Sequence, residues 1–369
     1  MKRFVITGLF RSGTTFLSRA LNAHSQITSA SDPFFEFFKH LRNNYFKHSS
    51  TFDPKSPLMD YFDSDFSQIE EYLNDCLKVE FSQEDILTLK KKISSYCEPY
   101  SPKIIPHLNK LKAATAFDVL EQCFGLLEEA YGNSPLMGIK EVWSDEFIGP
   151  LNKQMGYKTI QIIRDPRAII ASNRRSVSGA YPILFLIRQW RKSVAFAIIN
   201  REHKNHLVIK YEDLVNMPME SFRKICQHLE VRFEHSLIDS SKYLDGSGKA
   251  WRQNSSHGTS SNINTSFMNK WQEVLSLEEL KNIEYFCGPE LDLMGYPRKY
   301  KKVPHNIMSI FNHNYENIAE WIRSYDFNMD QNRKERELQR IQVLLSDCMD
   351  WKGYFFTKNV YEVLKNGFK

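Results

Sequence analysis

The most constraining stretch of this chain is Gly8-Leu9-Phe10-Arg11-Ser12-Gly13-Thr14-Thr15. It separates an apolar, β-branched run at residues 4–7, which reads as a short strand, from Phe16, Leu17, Ala20 and Leu21, which recur at helical spacing. A loop placed this way turns its backbone N–H groups toward one point. The N-terminus of the helix adds a favourable dipole, and together they make an anion site. The two glycines keep the spacing of the loop G-x-x-x-x-G-K-[ST] of nucleotide triphosphatases, but Thr14 stands in the lysine's place. Without a lysine to reach the terminal phosphates, hydrolysis of ATP or GTP is disfavoured, whereas phosphate binding is not. Arg11 offers, from within the loop, a planar fork of donors suited to a phosphate or sulfate group.

A second block of the same kind spans about residues 136 to 215. Leu136 to Lys140 reads as a strand, and Thr159 to Ile163 as a stronger one stopped by Arg164-Asp165-Pro166. A helix begins at Ile169, and His206 to Tyr211 reads as another strand. Strands alternating with helices predict a three-layer α/β fold of the P-loop kind around a central parallel sheet. Residues 40–135 carry no strand run and read as a helical insertion, with segments at Ile69 to Leu77, Ile86 to Ile93 and Phe117 to Ala130. An insertion of that size after the first strand and helix is a candidate cover for an acceptor cleft. Residues 245–270 are rich in Gly, Ser, Asn and Thr and read as an irregular loop, followed by a helix from Leu277 to Phe286. After Pro297 the chain turns highly charged and helical, with Leu338, Ile341, Leu344 and Leu345 as one apolar stripe. The expected division is a domain at 1–298 and a helical C-terminal extension at 299–369.

Composition narrows the alternatives. With 42% hydrophobic residues the chain has material for a large core, which excludes a disordered protein. A net charge of +5 without a basic cluster gives no nucleic-acid signal and suits a small anionic ligand. None of the six cysteines lies within four residues of another, so zinc and redox Cys-x-x-Cys spacings are absent and the thiols read as buried and reduced. No run reaches the ~18 apolar residues of a membrane helix. Met1 to Gly8 enters a strand without the longer apolar stretch of a signal peptide, so a cytoplasmic location is expected. No acidic cluster has metal-ligand spacing, and nothing in the sequence speaks to oligomeric state.

The second chemical signal is Gln161-Ile162-Ile163-Arg164-Asp165-Pro166-Arg167-Ala168, followed by Ser172. Arg164 stands at a strand end, where open α/β sheets bind ligands, and Ser172 could join it on a second phosphate. The two stretches together resemble the PAPS-dependent sulfotransferases, PAPS being 3′-phosphoadenosine 5′-phosphosulfate. Among these the chain is most similar to the carbohydrate and tyrosyl-protein branches, whose loops also begin Arg-Ser-Gly-Thr or Arg-Ser-Gly-Ser. Lys210-Tyr211-Glu212-Asp213-Leu214, Trp251, Asn254-Ser255-Ser256, Lys270-Trp271 and Gly295-Tyr296 extend the resemblance over about residues 3–297. The steroid- and phenol-type branch usually has Lys-Ser-Gly-Thr and a catalytic histidine, and neither is evident here.

The resemblance implies transfer of a sulfuryl group from PAPS to a hydroxyl or amine, with PAP as the second product and no metal. The acceptor it allows is a carbohydrate, glycolipid, small metabolite or peptide tyrosine. It places Arg11, Ser12, Gly13, Thr14 and Thr15 around the 5′-phosphosulfate, and Arg164 and Ser172 on the 3′-phosphate. Tyr211 would lie against or near adenine, Ser256 and Lys270 in a loop closing over the nucleotide, and Ser255 or Ser256 against the sulfuryl group. Arg11 and Lys140 are the candidate cations for the leaving group; a plainer reading makes Lys140 a solvent-facing lysine paired with Glu141. The candidate base is Asp32, in Ser29-Ala30-Ser31-Asp32-Pro33, where related chains carry a glutamate. Glu36 is the alternative base, and Asp32 could instead cap a helix starting at Pro33. Two rival functions compete: a nucleotide kinase or GTPase that draws its lysine from elsewhere, and a non-catalytic nucleotide-binding protein.

Overall fold

A computed structural model describes residues 2–46, 69–174, 180–251, 253–254, 258–259, 268–312, 318, 330–346 and 350–367. In chain order its main elements begin with β1 (Lys2–Gly8), α1 (Thr14–Leu21), β2 (Ile27–Ser31), α2 (Phe35–Phe46) and α3 (Ile69–Asp75). Then come β3 (Glu80–Phe81), α4 (Gln83–Cys97), β4 (Ala114–Thr115), α5 (Ala116–Tyr131), β5 (Leu136–Lys140) and α6 (Ile148–Lys153). These lead to β6 (Lys158–Ile163), α7 (Pro166–Arg174), α8 (Ile183–Asn200), β7 (His206–Lys210), α9 (Tyr211–Asn216) and α10 (Pro218–Leu229). The rest is β8 (Gln253–Asn254), β9 (Gly258–Thr259), α11 (Trp271–Val274), α12 (Leu277–Phe286), α13 (Gly288–Leu293), α14 (Gln331–Leu345) and α15 (Lys358–Gly367).

These elements form two compact units. The first is Met1–Ser50, Glu70–Ile163 and Asn200–Thr265; the second is Thr51–Ile69, Arg164–Ile199 and Ser266–Lys369. The first unit holds a five-stranded sheet in the order β2-β5-β1-β6-β7, parallel throughout. Its inner strands are apolar on both faces because both faces are covered, and Phe4, Val5 and Ile6 are all fully buried. Phe4, Ile6, Ile160, Ile162 and Ile209 share one core with Leu17 and Leu21 of α1 and Phe222, Ile225 and Leu229 of α10. The register pairs Ser31 with Lys140, Ile6 with Lys140, Gly8 with Ile162 and Ile163 with Lys210. One edge of the sheet therefore gathers the C-terminal ends of the strands, the place where such sheets hold ligands.

In the second unit α8 is buried along most of its length, charged residues included. Arg191 donates to Glu337 of α14 at 2.7 Å, and the Arg188 Nε lies 3.2 Å from the same carboxylate. Arg340, one turn further along α14, pairs with Glu290 of α13. Within the segment expected as a separate extension at 299–369, α14 thus docks by buried ion pairs on α8 and α13, which lie outside that segment. Its stripe is also less apolar than the sequence suggested: Ile341 and Leu344 are buried beside Glu337 and Arg340, whereas Leu345 is exposed.

Other differences from the sequence reading are local. Ile27-Thr28-Ser29-Ala30-Ser31 forms the edge strand β2, although its serines and alanine give a weak strand pattern. The insertion does contain strands, the two-residue pair β3 and β4. The run 206–211 ends as a strand at Lys210, and Tyr211 opens α9.

Candidate active site

Loop 9–13 leaves the C-terminal end of β1 in a conformation that its sequence makes costly. Gly8 and Gly13 take positive φ, and so does Arg11 at 66°, where a side chain is disfavoured by about 1–2 kcal/mol. Gly8 cannot be replaced without displacing its neighbour, because a Cβ there would lie 2.5 Å from the Ile162 carbonyl oxygen. A Cβ on Gly13 would lie 2.3 Å from the Tyr211 ring, so that ring lies directly against the loop. Thr14 and Thr15 open α1. Ser12 is buried, and its hydroxyl has no hydrogen-bond partner among the described residues. An orphaned donor at a glycine-rich turn is what an anion oxygen would satisfy.

Beside this loop, Asp32 and Lys140 form a buried ion pair. Asp32 follows directly on β2, and its backbone N–H donates to the Lys140 carbonyl at 2.6 Å. Its φ of 46° is again left-handed, so it serves as the strand-end turn and not as a helix cap. α2 begins only at Phe35, and the Asp32 carboxylate faces Lys140 and the Val142 N–H. Glu36 lies in the first turn of α2, 3.9 Å from Lys39.

Lys140 is therefore neither exposed nor paired with Glu141. Consecutive residues of a strand point to opposite faces. Glu141 turns the other way and accepts the Phe34 N–H at 2.6 Å, while its second oxygen is buried without a partner among the described residues. Burial, with the Asp32 carboxylate nearby, holds the Glu141 carboxyl well above the usual carboxylate range. Arg19 of α1 is a further buried cation on this side. Burial lowers its pKa while Asp245, Tyr131 and Asp32 raise it, and its Nε has no partner among the described residues.

The structure thus brings Arg11, Ser12, Gly13, Thr14, Thr15, Asp32, Lys140 and Tyr211 to one edge of the first unit's sheet. Arg164, Ser172 and Lys270 belong to the second unit. There Arg164 is buried with its carbonyl accepting the Trp190 indole N–H at 2.8 Å, and Ser172 is buried in the second turn of α7. Lys270 immediately precedes α11, which packs on α7, and the Arg167 guanidinium sits 4.3 Å over the Trp271 ring. Ser255 and Ser256 lie outside the described residues. Sequence reasoning missed Glu141, Trp143 and Tyr100 at this edge. Strand alternation could have separated Glu141 from Lys140, whereas the two aromatic residues carry no motif.

Comparison with known proteins identifies the family. A family model described as the Sulfotransferase family matches residues 3–114 and 157–235, more than half of the chain. Carbohydrate sulfotransferase 3 of Mus musculus is 21% identical over 182 residues, which cover 41% of this chain and 36% of that protein. Carbohydrate sulfotransferase 5 of Mus musculus is 20% identical over 226 residues, covering 51% and 54%. The chain spans roughly a third to a half of the length of these relatives. Among solved structures, the sulfotransferase domain from the curacin biosynthetic pathway covers 80% of this chain and 98% of its own, at 18% identity and a TM-score of 0.47. Retinol dehydratase in a complex with retinol and PAP covers 82% and 84%, at 12% identity and a TM-score of 0.37. By its phosphate loop, its parallel sheet and the extent of the family match, the chain belongs to the sulfotransferase family.

Proposed function

We propose that this protein transfers a sulfuryl group from PAPS to an acceptor hydroxyl or amine. The observation that carries the reading is the meeting of a lysine-less phosphate loop, with its orphaned Ser12 hydroxyl, and the buried Asp32–Lys140 pair at one sheet edge. The loop from Arg11 to Thr15 holds the 5′-phosphosulfate end through backbone N–H groups, the Ser12 hydroxyl and the Arg11 guanidinium. Arg164 and Ser172 take the 3′-phosphate, an assignment that rests on the resemblance of their motif to that of the family. Lys270 and Ser256 complete the nucleotide's cover, and Ser255 the sulfuryl contact, by the same resemblance.

PAPS supplies the sulfuryl group; the rest is positioning, charge and one proton. Asp32 accepts the proton of the acceptor O–H as that oxygen bonds to sulfur. The bond from sulfur to the 5′-phosphate oxygen breaks, and its electron pair leaves with PAP. Lys140 and Arg11 face the charge that grows on that leaving oxygen, the work a metal does for a triphosphate. The relatives' names make carbohydrate acceptors the first class to try. A cytoplasmic setting belongs to the same proposal, supported by five described cysteines that are all free and buried.

The test is calorimetric titration with PAP, with and without magnesium, against ATP as control. Magnesium-independent PAP binding that is lost in Arg164→Ala supports the reading. A preference for ATP with magnesium would return the chain to the kinase alternative.

A further inference from the structure

Asp32 is strained twice over. A left-handed φ of 46° is disfavoured for any residue with a side chain, and a residue that precedes proline is pushed toward extended backbone. Released from its surroundings, Asp32 would leave this conformation and swing its carboxylate away from Lys140. Ties on both sides hold it. Upstream, the Ser31 carbonyl accepts the Ser101 hydroxyl at 2.8 Å, and the Asp32 N–H donates to the Lys140 carbonyl at 2.6 Å. Downstream, Pro33 has no N–H to give. The first donor after Asp32 is therefore the Phe34 N–H, which the Glu141 carboxyl accepts at 2.6 Å. The Phe34 side chain is fully buried, and its carbonyl accepts the Phe37 N–H at 2.9 Å at the head of α2.

Glu141 is fully buried and faces away from the Lys140 side chain, so it is not placed to take a proton from the acceptor itself. On its own side the Cys97 thiol of α4 and the Cys123 thiol of α5, pushed up chiefly by burial, also feel its charge. Asp32 and Lys140 are the charged groups that reach it from the sheet edge. Its second oxygen is buried without a partner among the described residues, which costs stability. A buried carboxyl that weakens the fold and yet grips the first free N–H after a strained residue is explained by what it grips.

We propose that Glu141 is a positioning residue for the candidate base. By holding the Phe34 N–H it locks the turn Asp32-Pro33-Phe34, and so keeps the Asp32 carboxylate between the Lys140 ammonium and the Val142 N–H. Rotation about the strained bond of Asp32 would have to carry Phe34 with it, and that residue is pinned through its N–H and its buried ring. The grip needs an accepting oxygen and no charge, so a neutral side chain with a carbonyl serves as well as a carboxyl. The inference rests on the sulfuryl-transfer reading above.

The experiment is a double-mutant cycle on the full chain. Turnover is read as PAP released from PAPS with the faster of methyl β-D-galactopyranoside and 4-nitrophenol as acceptor, and calorimetry reads PAP affinity. Glu141→Met fills the same space without an accepting oxygen, and its kcat should fall about 10–100-fold with PAP affinity unchanged. Glu141→Gln, whose amide oxygen still accepts the Phe34 N–H, should stay within about threefold of the unaltered chain. In an Asp32→Asn background, Glu141→Met should change kcat less than about twofold, because its effect passes through the base. Independently of turnover, the Asp32 amide hydrogen should exchange at least about tenfold faster in Glu141→Met than in Glu141→Gln. A normal kcat in Glu141→Met, an equal fall in both backgrounds, or equal amide exchange would each overturn the proposal. Should Glu141→Met not fold, Glu141→Gln decides: a retained kcat supports the proposal, and one as low as that of Asp32→Asn overturns it by making the carboxyl itself a proton carrier. Failure of the unaltered protein to bind PAP would remove the reading beneath, a result distinct from PAP binding with a base indifferent to residue 141.

Discussion

Glu141 and Glu337 are both buried, yet their surroundings drive them in opposite directions. Burial alone disfavours the ionised form of each. At Glu337 this is overturned by Arg191 and Arg188, which lower its pKa below the ordinary 4.5. At Glu141 burial is reinforced by the Asp32 carboxylate, and Lys140 is engaged with Asp32 instead. The backbone differs in the same sense. Glu337 and its partners sit on regular helices. Of the four non-glycine residues with positive φ among those described, Arg11, Asp32 and Trp143 stand at the sheet edge beside Glu141, and Glu230 caps α10. Helix docking settles its buried charges, whereas the sheet edge keeps strain and an uncompensated carboxyl in place. That is the pattern expected of a site whose geometry is held for a ligand.

The largest effect should come from Asp32→Asn, which keeps the shape and removes the base. If Asp32 takes the acceptor's proton, kcat for sulfuryl transfer should fall by about 10²–10⁴-fold with PAP affinity unchanged in calorimetry. A normal rate with a lowered melting temperature would make Asp32 merely structural and dissolve the contrast with Glu337. Next in size is Glu337→Gln. It leaves Arg188 and Arg191 without their shared carboxylate and should cost about 3–5 kcal/mol of stability in denaturant unfolding. PAP affinity should not change, because the cluster serves packing alone.

Acid and base titration separates the two glutamates more finely. The folded protein holds the Glu141 proton above pH 4.5, where the unfolded chain has released it, so this group's contribution to stability falls as pH rises from 4.5 toward its folded pKa. Glu337 has the opposite sign: its contribution is present above 4.5 and is lost as pH drops through its lowered folded pKa. The limiting slope is about 1.4 kcal/mol per pH unit for one proton. Glu141→Gln, which mimics the protonated form, should therefore be more stable than the unaltered chain at pH 8, by about 1–2 kcal/mol, and nearly equal to it at pH 4.5. Melting temperatures across that range check the sign. An advantage for the unaltered chain at pH 8 would mean that Glu141 is ionised in the folded state.

Much of this site was legible in sequence because its parts are chain-local. The loop Gly8–Thr15 and the strand ends at Lys140, Ile163 and Lys210 each announce themselves through a glycine spacing or an apolar run. Asp32 was found by its place in a motif, but the motif did not reveal that it follows a strand, since β2 buries Ser29 and Ser31 alongside Ile27 and Ala30 and so lacks a strand's usual apolar run. The Asp32–Lys140 pair joins residues 108 apart in sequence, and register alone brings them together. The same holds for the Glu337 cluster. A helix pattern reports which face is apolar, and α14 buries Glu337 and Arg340 on that face because their partners wait on α8 and α13. Periodicity carries no record of a partner elsewhere in the chain.

The smallest effect is also the sharpest test of strain. Arg11 occupies a left-handed φ of 66°, a conformation that glycine adopts without penalty. Arg11→Gly relieves a strain of about 1–2 kcal/mol but adds about 0.5–1 kcal/mol of chain entropy to be lost on folding, so thermal unfolding should show no loss of stability and a gain of about 0.5 kcal/mol. If the strain exists to aim the guanidinium at an anion, the same variant should bind PAP at least tenfold more weakly, the loss of one charge-assisted hydrogen-bonding group. Stability and affinity then move in opposite directions on a single substitution, which a structural arginine would not produce. A stability loss with unchanged PAP affinity would place Arg11 with Glu337, among the residues that hold the fold together.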